Sequence, residues 1–260
     1  MAAEPQTGRS ERGCYVYGIV SQDVEPTDEA RGVGDPPARV EIVRHDGIAA
    51  LVSEIDLSRP LGQPEDLMAH QQLLDASAAE VAVLPLRFGA VLTSKDAVVD
   101  ELLAPHHEEF TSALRELEGR VQYVVKGRYV EPAVLNEILS ENPEAAELKD
   151  EISKAPDDDA TRDVRIRLGE IIADAIAAKR EADTRELGRI LEPHCVATSV
   201  REPTHEQDAV HVAVMVDTSK QDDLEQAVAD LTRDWEDRVT VRLLGPMAVY
   251  DFVGAPPAEG

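Results

Sequence analysis

Residues 14–20 read Cys-Tyr-Val-Tyr-Gly-Ile-Val, a β-rich run with no charge, which predicts a strand. A polar loop rich in Pro and Gly follows from Ser21 to Ala38. Then comes VEIVRHDGIAALVSEI, two apolar runs joined at Asp46-Gly47. That dipeptide is the strongest short hairpin signal, because both positions tolerate positive φ. Residues 64–80 open with Pro and acids and carry Leu67, Leu73 and Leu74, so they read as a helix. VAVLPLRFGAVL, residues 81–92, reads as a strand interrupted by Pro85. Ser94 is placed to cap a helix running to about Leu117, with Val98, Leu102 and Leu103 repeating at helical spacing and Phe110, Leu114 and Leu117 continuing it. RVQYVVKGRYVE is the next strand.

A charge-rich stretch, ENPEAAELKDEISKAPDDDATRD, predicts a domain boundary. Beyond it, Val164, Leu168, Ile171, Ile172, Ala175 and Ile176 form one apolar stripe, resumed by Leu187, Ile190 and Leu191. This predicts a long helix over 162–191, ended by Pro193. Lys179, Arg180, Glu181 and Asp183 interrupt the stripe. The remainder reads as strand (195–201), strand (209–217), helix (219–236) and strand (238–244). The whole predicts an α+β protein of two domains, 13–140 and 141–253, with tails at 1–12 and 254–260. Each domain is expected to hold a mixed or antiparallel sheet with helices on one face, ferredoxin-like in part.

Charge narrows the function. The 260 residues carry a net charge of −26, with hydrophobic content of 43% and aromatics of 3%. Such a surface repels nucleic acid and anionic membranes, and no run of about 18 apolar residues predicts a membrane span. The first residues lack an apolar signal-peptide core, so a cytoplasmic protein is expected. Cys14 and Cys195 lie far apart and are expected to be free thiols.

The search for chemistry finds no phosphate loop, dinucleotide fingerprint or nucleophile elbow. His106 and His107 are adjacent and point apart; His194, His205 and His211 lack metal-site spacing. Asp157-Asp158-Asp159 lacks the Gly and distant Glu of a calcium loop. Lys126-Gly127-Arg128 reads as a solvated turn or bulge within a strand. No catalytic residue, cofactor or metal is therefore assigned. Two patterns remain, each joining Gly, Pro and an aromatic at a strand. One is Leu84-Pro85-Leu86-Arg87-Phe88-Gly89. The other is Leu243-Leu244-Gly245-Pro246 with Tyr250-Asp251-Phe252-Val253. The candidate structural or docking residues are Pro85, Arg87, Phe88, Gly89, Gly245, Pro246, Tyr250 and Phe252. A guanidinium keeps its proton inside a protein, so Arg87 is expected to pair with an internal carboxylate or backbone carbonyls.

In these residues the chain resembles the gas vesicle protein F/L family (GvpF/GvpL). The likeness rests on Tyr15-Val16-Tyr17-Gly18-Ile19, the helix with His70, the Pro85–Gly89 segment, the strand ending Val125-Lys126-Gly127, the helix with Lys179-Arg180 and Asp183, and the closing Gly245-Pro246 with Tyr250 and Phe252-Val253. It covers roughly 13–253, and departs from the family pattern at Met247-Ala248-Val249, where more Trp and Pro are usual. The resemblance implies a minor structural or assembly protein, not an enzyme, of the hollow gas-filled shells that give prokaryotic cells buoyancy. It also implies contact with the shell protein GvpA and other accessory gas vesicle proteins. The alternative is a small-molecule- or haem-binding enzyme built on tandem ferredoxin-like domains.

Overall fold

Strand β1 (Arg12–Ser21) is buried at eight consecutive positions, so both of its faces are covered, which is why its sequence is an unbroken apolar run. The structure, a computed structural model, describes residues 12–27, 29–154 and 161–253. The expected tails at 1–11 and 254–260, and the run Asp157-Asp158-Asp159, lie outside these residues; Arg12 already belongs to β1.

The described residues form two compact units, 12–122 with 246–253, and 123–245. The division differs from the expected boundary at 140. Helix α4 (Glu131–Glu141) ends where the charge-rich stretch begins, and residues 143–154 of that stretch form helix α5 (Pro143–Lys154). Their signals were present: Pro132 and Pro143 lie in the first turns, Val134 and Ile138 form a buried i, i+4 pair, and Asn142 accepts from the Ala145 N–H at 3.1 Å.

In the first unit, β2 (Glu41–His45) and β3 (Ile48–Asp56) pair through the expected two-residue turn, with Asp46 at φ 42° and Gly47 at φ 95°. β1 pairs antiparallel with β3, shifting register between Val16 and Gly18. The sheet order is β2-β3-β1-β4. Helix α1 (Pro64–Ala78) supplies Leu74 and Ala78 to the core around Tyr15, Tyr17 and Leu51.

Residues 81–92 are not one strand. Only β4 (Leu84–Pro85) and β5 (Val91–Leu92) pair with β1, and 86–90 arch between them. Gly18 permits the pairing with Pro85: a Cβ there would lie 2.8 Å from the Leu84 carbonyl oxygen. The helix expected from Ser94 to Leu117 is also broken. The Ser94 hydroxyl accepts from Ala97 N–H, and α2 (Lys95–Ala97) passes into a π-helical turn, Val98–Leu103. The chain then bends at Pro105, which has no N–H to donate, before α3 (His107–Leu117) packs Phe110, Leu114 and Leu117 inward.

In the second unit, β6 (Arg120–Tyr129), α4, α5 and α6 (Arg162–Leu191) precede β7 (Ala197–Val200) and β8 (Asp208–Asp217); α7 (Gln221–Asp234) and β9 (Val239–Met247) follow. The sheet order is β7-β8-β6-β9. Counting strands within this unit, that is the second, third, first and fourth, the split β-α-β arrangement of ferredoxin-like folds. Each domain is expected to be ferredoxin-like in part; the second unit has that strand order and the first has another. Gly127 is not a solvated turn: it is buried inside β6, where a Cβ would meet Val210 Cγ2 at 2.7 Å and Val239 Cγ1 at 3.0 Å. The chain passes from the first unit to the second within β6 and returns within β9.

Candidate functional site

The two motifs singled out in the sequence are held by one helix of the first unit, α1. Its His70 is buried, and its ring lies 5.6 Å from Phe88, 5.7 Å from Tyr15 and 5.8 Å from Tyr17, centroid to centroid. The Tyr15 hydroxyl lies 2.9 Å from His70 Nδ1 and accepts from the Gly89 N–H at 3.1 Å. In the neutral tautomer that carries its proton on Nε2, Nδ1 accepts the Tyr15 hydroxyl proton. Burial holds the His70 pKa below its ordinary value, and a backbone hydrogen bond with Leu86 offsets part of that. Burial likewise pushes the Tyr15 hydroxyl up to about 12. The arch is further tied to β1 by Leu86 N–H donating to the Tyr17 carbonyl and Val16 N–H donating to the Ala90 carbonyl, each at 2.9 Å.

Pro85 is therefore buried in β4, and Phe88 is half-buried against Tyr15 and His70. Gly89 is exposed at φ 92°, a backbone region that suits glycine. Arg87 departs from expectation. It is exposed, and among the described residues it has no hydrogen-bond or ion-pair partner. The segment looked buried because its neighbours are apolar, but Leu86–Ala90 leave the sheet and carry Arg87 to water.

The closing segment meets the same helix. Asp75 accepts from the Ala248 N–H at 3.0 Å, and burial raises the Asp75 pKa against that bond. Tyr250 is half-buried beside Asp75, and burial first, then the Asp75 charge, raises its hydroxyl pKa. Gln122, fully buried at the start of β6, donates to Asp251 Oδ2 at 2.5 Å and accepts from the Asp251 N–H at 2.9 Å. Phe252 is half-buried, while Gly245, at φ 136°, and Pro246 are exposed near the end of β9. Asp75 and Gln122 escaped the sequence reading because a lone polar residue in a helix or strand resembles any surface position.

The second unit holds an ionic network rather than a cleft chemistry. Arg238 donates in bidentate fashion to the buried Asp183, at 3.0 and 2.9 Å, and to Glu137 at 3.0 Å. Tyr129 donates to Asp183 at 2.5 Å, and Lys179 to Glu137 and Glu141 at 2.6 Å. Of the residues that interrupt the stripe of α6, Lys179 and Asp183 thus tie it to α4, β6 and Arg238. Arg180 donates to the Asp208 and Glu206 carbonyls. Lys126 donates to the Thr204 hydroxyl at 2.6 Å and, with Arg128, lies within 3.7 Å of buried Asp208. Every cation of the Lys-Gly-Arg pattern is thereby engaged within this unit.

The two cysteines are free thiols; burial pushes Cys14 up to about 11 and raises Cys195. Neither is an activated nucleophile. Among the described residues no group of three or more His, Cys, Asp or Glu is placed to hold a metal ion, and no helix is long and apolar enough to cross a membrane.

The arrangement defines a two-unit α+β protein whose buried polar groups brace strands, helices and one projecting loop. The chain belongs to the gas vesicle synthesis protein GvpL/GvpF family, whose model matches residues 13–254. It is 34% identical to gas vesicle protein F of a Streptomyces species, over 92% of this chain and 98% of that one. To gas vesicle protein L of the same strain it is 28% identical, over 92% of each chain. In fold it is similar to the crystal structure of gas vesicle protein GvpF from Microcystis aeruginosa, with a TM-score of 0.73 at 20% identity, over 94% of this chain and 99% of that one. The GvpF structure from Anabaena sp. PCC7120 gives 0.71 at 23% identity, over 94% and 97%.

Proposed function

We propose that this protein is an accessory factor of gas vesicle formation that acts in the cytoplasm and at the vesicle, binding the shell protein GvpA and other accessory gas vesicle proteins. The observation that carries this reading is the family match over residues 13–254, nearly all of the chain. The higher identity to the F than to the L protein of one Streptomyces strain favours an F-type role.

Physical features fit the role. A hydrophobic shell subunit must be kept from aggregating before assembly. A carrier with net charge −26 resists association with itself, while exposed apolar edges give it something to offer. The edge strands β7 and β9 of the second sheet run beside exposed Val196, Val200 and Leu244, so an extended segment of a partner can add to either edge. The test is co-expression with GvpA. The tagged protein should capture GvpA and delay its aggregation. A GvpA that aggregates at the same rate with and without the protein, and is not captured by it, overturns the reading.

A further inference from the structure

We propose that the outer edge of β7 takes up an extended segment of a partner protein, whose alternate side chains are apolar and lie in the trough between that edge and α6. The inference rests on the assembly reading above. It commits to one of the two edges and names the chemistry of what binds there.

Backbone direction selects a strand as the occupant. β7 is the outermost strand of its sheet among the described residues. It pairs with β8 in continuous antiparallel register from Ala197↔Met215 to Val200↔Val212, and the Arg201 N–H donates to the His211 carbonyl at 2.8 Å. Hydrogen-bonded positions alternate in such a pair, so Ser199 and Arg201 turn their N–H and C=O groups to β8. Those of Thr198 and Val200 point the other way, out of the sheet. The sides of a helix offer no free backbone groups, so it is an extended segment that meets both pairs.

Of the sheet edges described, β7 is the one left open. Edge strands are ordinarily guarded by charge, by proline or by being very short. β2 carries Glu41, Arg44 and His45, β4 holds Pro85, β5 is two residues long, and β9 carries Arg242 and Pro246. β7 reads Ala-Thr-Ser-Val, with Val200 67% exposed and Val196, just before the strand, 44% exposed.

The trough decides what the segment carries. Val200 lines a cavity of about 390 Å³ with Ala177 of α6, Pro203 and Val210 of β8. A residue paired opposite Val200 has its side chain on the same face, roughly 5 Å away, and so beside this cavity. Arg180, Arg185 and Asp208, which also border it, are already engaged: Arg180 with the Asp208 and Glu206 carbonyls, Arg185 with Glu181, and Asp208 with Lys126 and Arg128. An apolar side chain is what such walls accept. A second copy of this chain would bring a further net charge of −26 to the contact, so the partner is a different protein.

The test uses GvpA co-expressed with tagged full-length protein. Val200→Lys guards the edge and sets a charge beside the cavity; Thr198→Pro deletes one outward N–H. Leu244→Lys, at the edge of β9, is the control. Capture should fall about tenfold or more with the two β7 variants and stay at the wild-type level with Leu244→Lys. Because Val200 is exposed, Val200→Lys should melt within about 2 °C of the wild type. In the wild-type complex, amide exchange should slow about tenfold or more at Thr198 and Val200 and change little at Ser199, which already faces β8. That alternation decides the matter even where a variant folds poorly. If both β7 variants capture GvpA at the wild-type level, or if the complex protects amides of α6 but not those of Thr198 and Val200, the inference is overturned and the assembly reading stands. A free protein that sediments as a dimer, and as a monomer with Val200→Lys, makes a second copy the occupant and overturns it as well. If the wild type captures no GvpA, the assembly reading falls and takes the inference with it.

Discussion

His70 is neutral because its surroundings leave a charge without compensation: Tyr15, Tyr17 and Phe88 crowd its ring, and burial depresses its pKa. In the unfolded chain its pKa returns to about 6.5. Between the folded and unfolded values the unfolded state binds the extra proton, so the stability from neutral His70 is present above about 6.5 and lost as pH falls below it. The loss is at most about 1.4 kcal/mol per pH unit for one proton. Asp75, whose pKa is raised, acts in the opposite sense at lower pH, so a difference between variants isolates His70. We expect His70→Phe to lose about 1–2 kcal/mol at pH 7, because the Tyr15 proton loses its acceptor. Its melting temperature should then fall less steeply than the wild type's between about pH 6.5 and 5. Parallel melting curves for the two proteins would refute this account. The sequence presented His70 only as one His in a helix; its role needs Tyr15 and Gly89, 55 residues before it and 19 after it in the chain.

Elements were legible where one physical signal dominated. The β2–β3 turn followed from Asp46-Gly47, and α6 from its apolar period. Legibility failed where signals competed. Apolar content masked the arch at 86–90, which is set by tertiary ties to β1 and α1 rather than by its own residues. Acidic content masked α5, and α4 before it was not read from the sequence; the inward faces of both rest on few apolar side chains, Val134, Ile138 and Ala145 being the buried residues of the two helices. Helix α1 is the element on which both motifs depend, and Asp75 is its hold on the closing segment. Asn at position 75 keeps an oxygen for the Ala248 N–H and removes a charge that burial disfavours. Asp75→Asn should therefore be neutral or slightly stabilising at pH 7. Asp75→Ala should cost about 1–2 kcal/mol, because a buried N–H loses its acceptor. Chemical denaturation distinguishes the two. Equal losses in both variants would mean that the charge, not the hydrogen bond, anchors the segment.

At the scale of the whole chain, the second unit is an insertion: it is continuous in sequence, whereas the first is assembled from 12–122 and 246–253. This was not legible beforehand, because a closing segment that returns to the first unit looks like the last residues of the second. Its contribution can be sized. Ala248 and Val249 are fully buried, and the backbone of 248–251 supplies hydrogen bonds to Asp75 and Gln122. Burying a Val side chain contributes about 1.5–3 kcal/mol and each such hydrogen bond about 1 kcal/mol. The sum approaches the net stability of an ordinary domain, roughly 5–15 kcal/mol. A chain ending at residue 245 should therefore leave the first unit largely unfolded while the second, complete in itself, persists. Hydrogen exchange reads both at once: amides of β1 and β3 should lose protection by several orders of magnitude, and those of β8 and α7 should keep theirs. A peptide of residues 246–260 added in trans should restore protection to β1. Full protection of β1 in the truncated chain would show that the returning segment decorates the first unit rather than completing it.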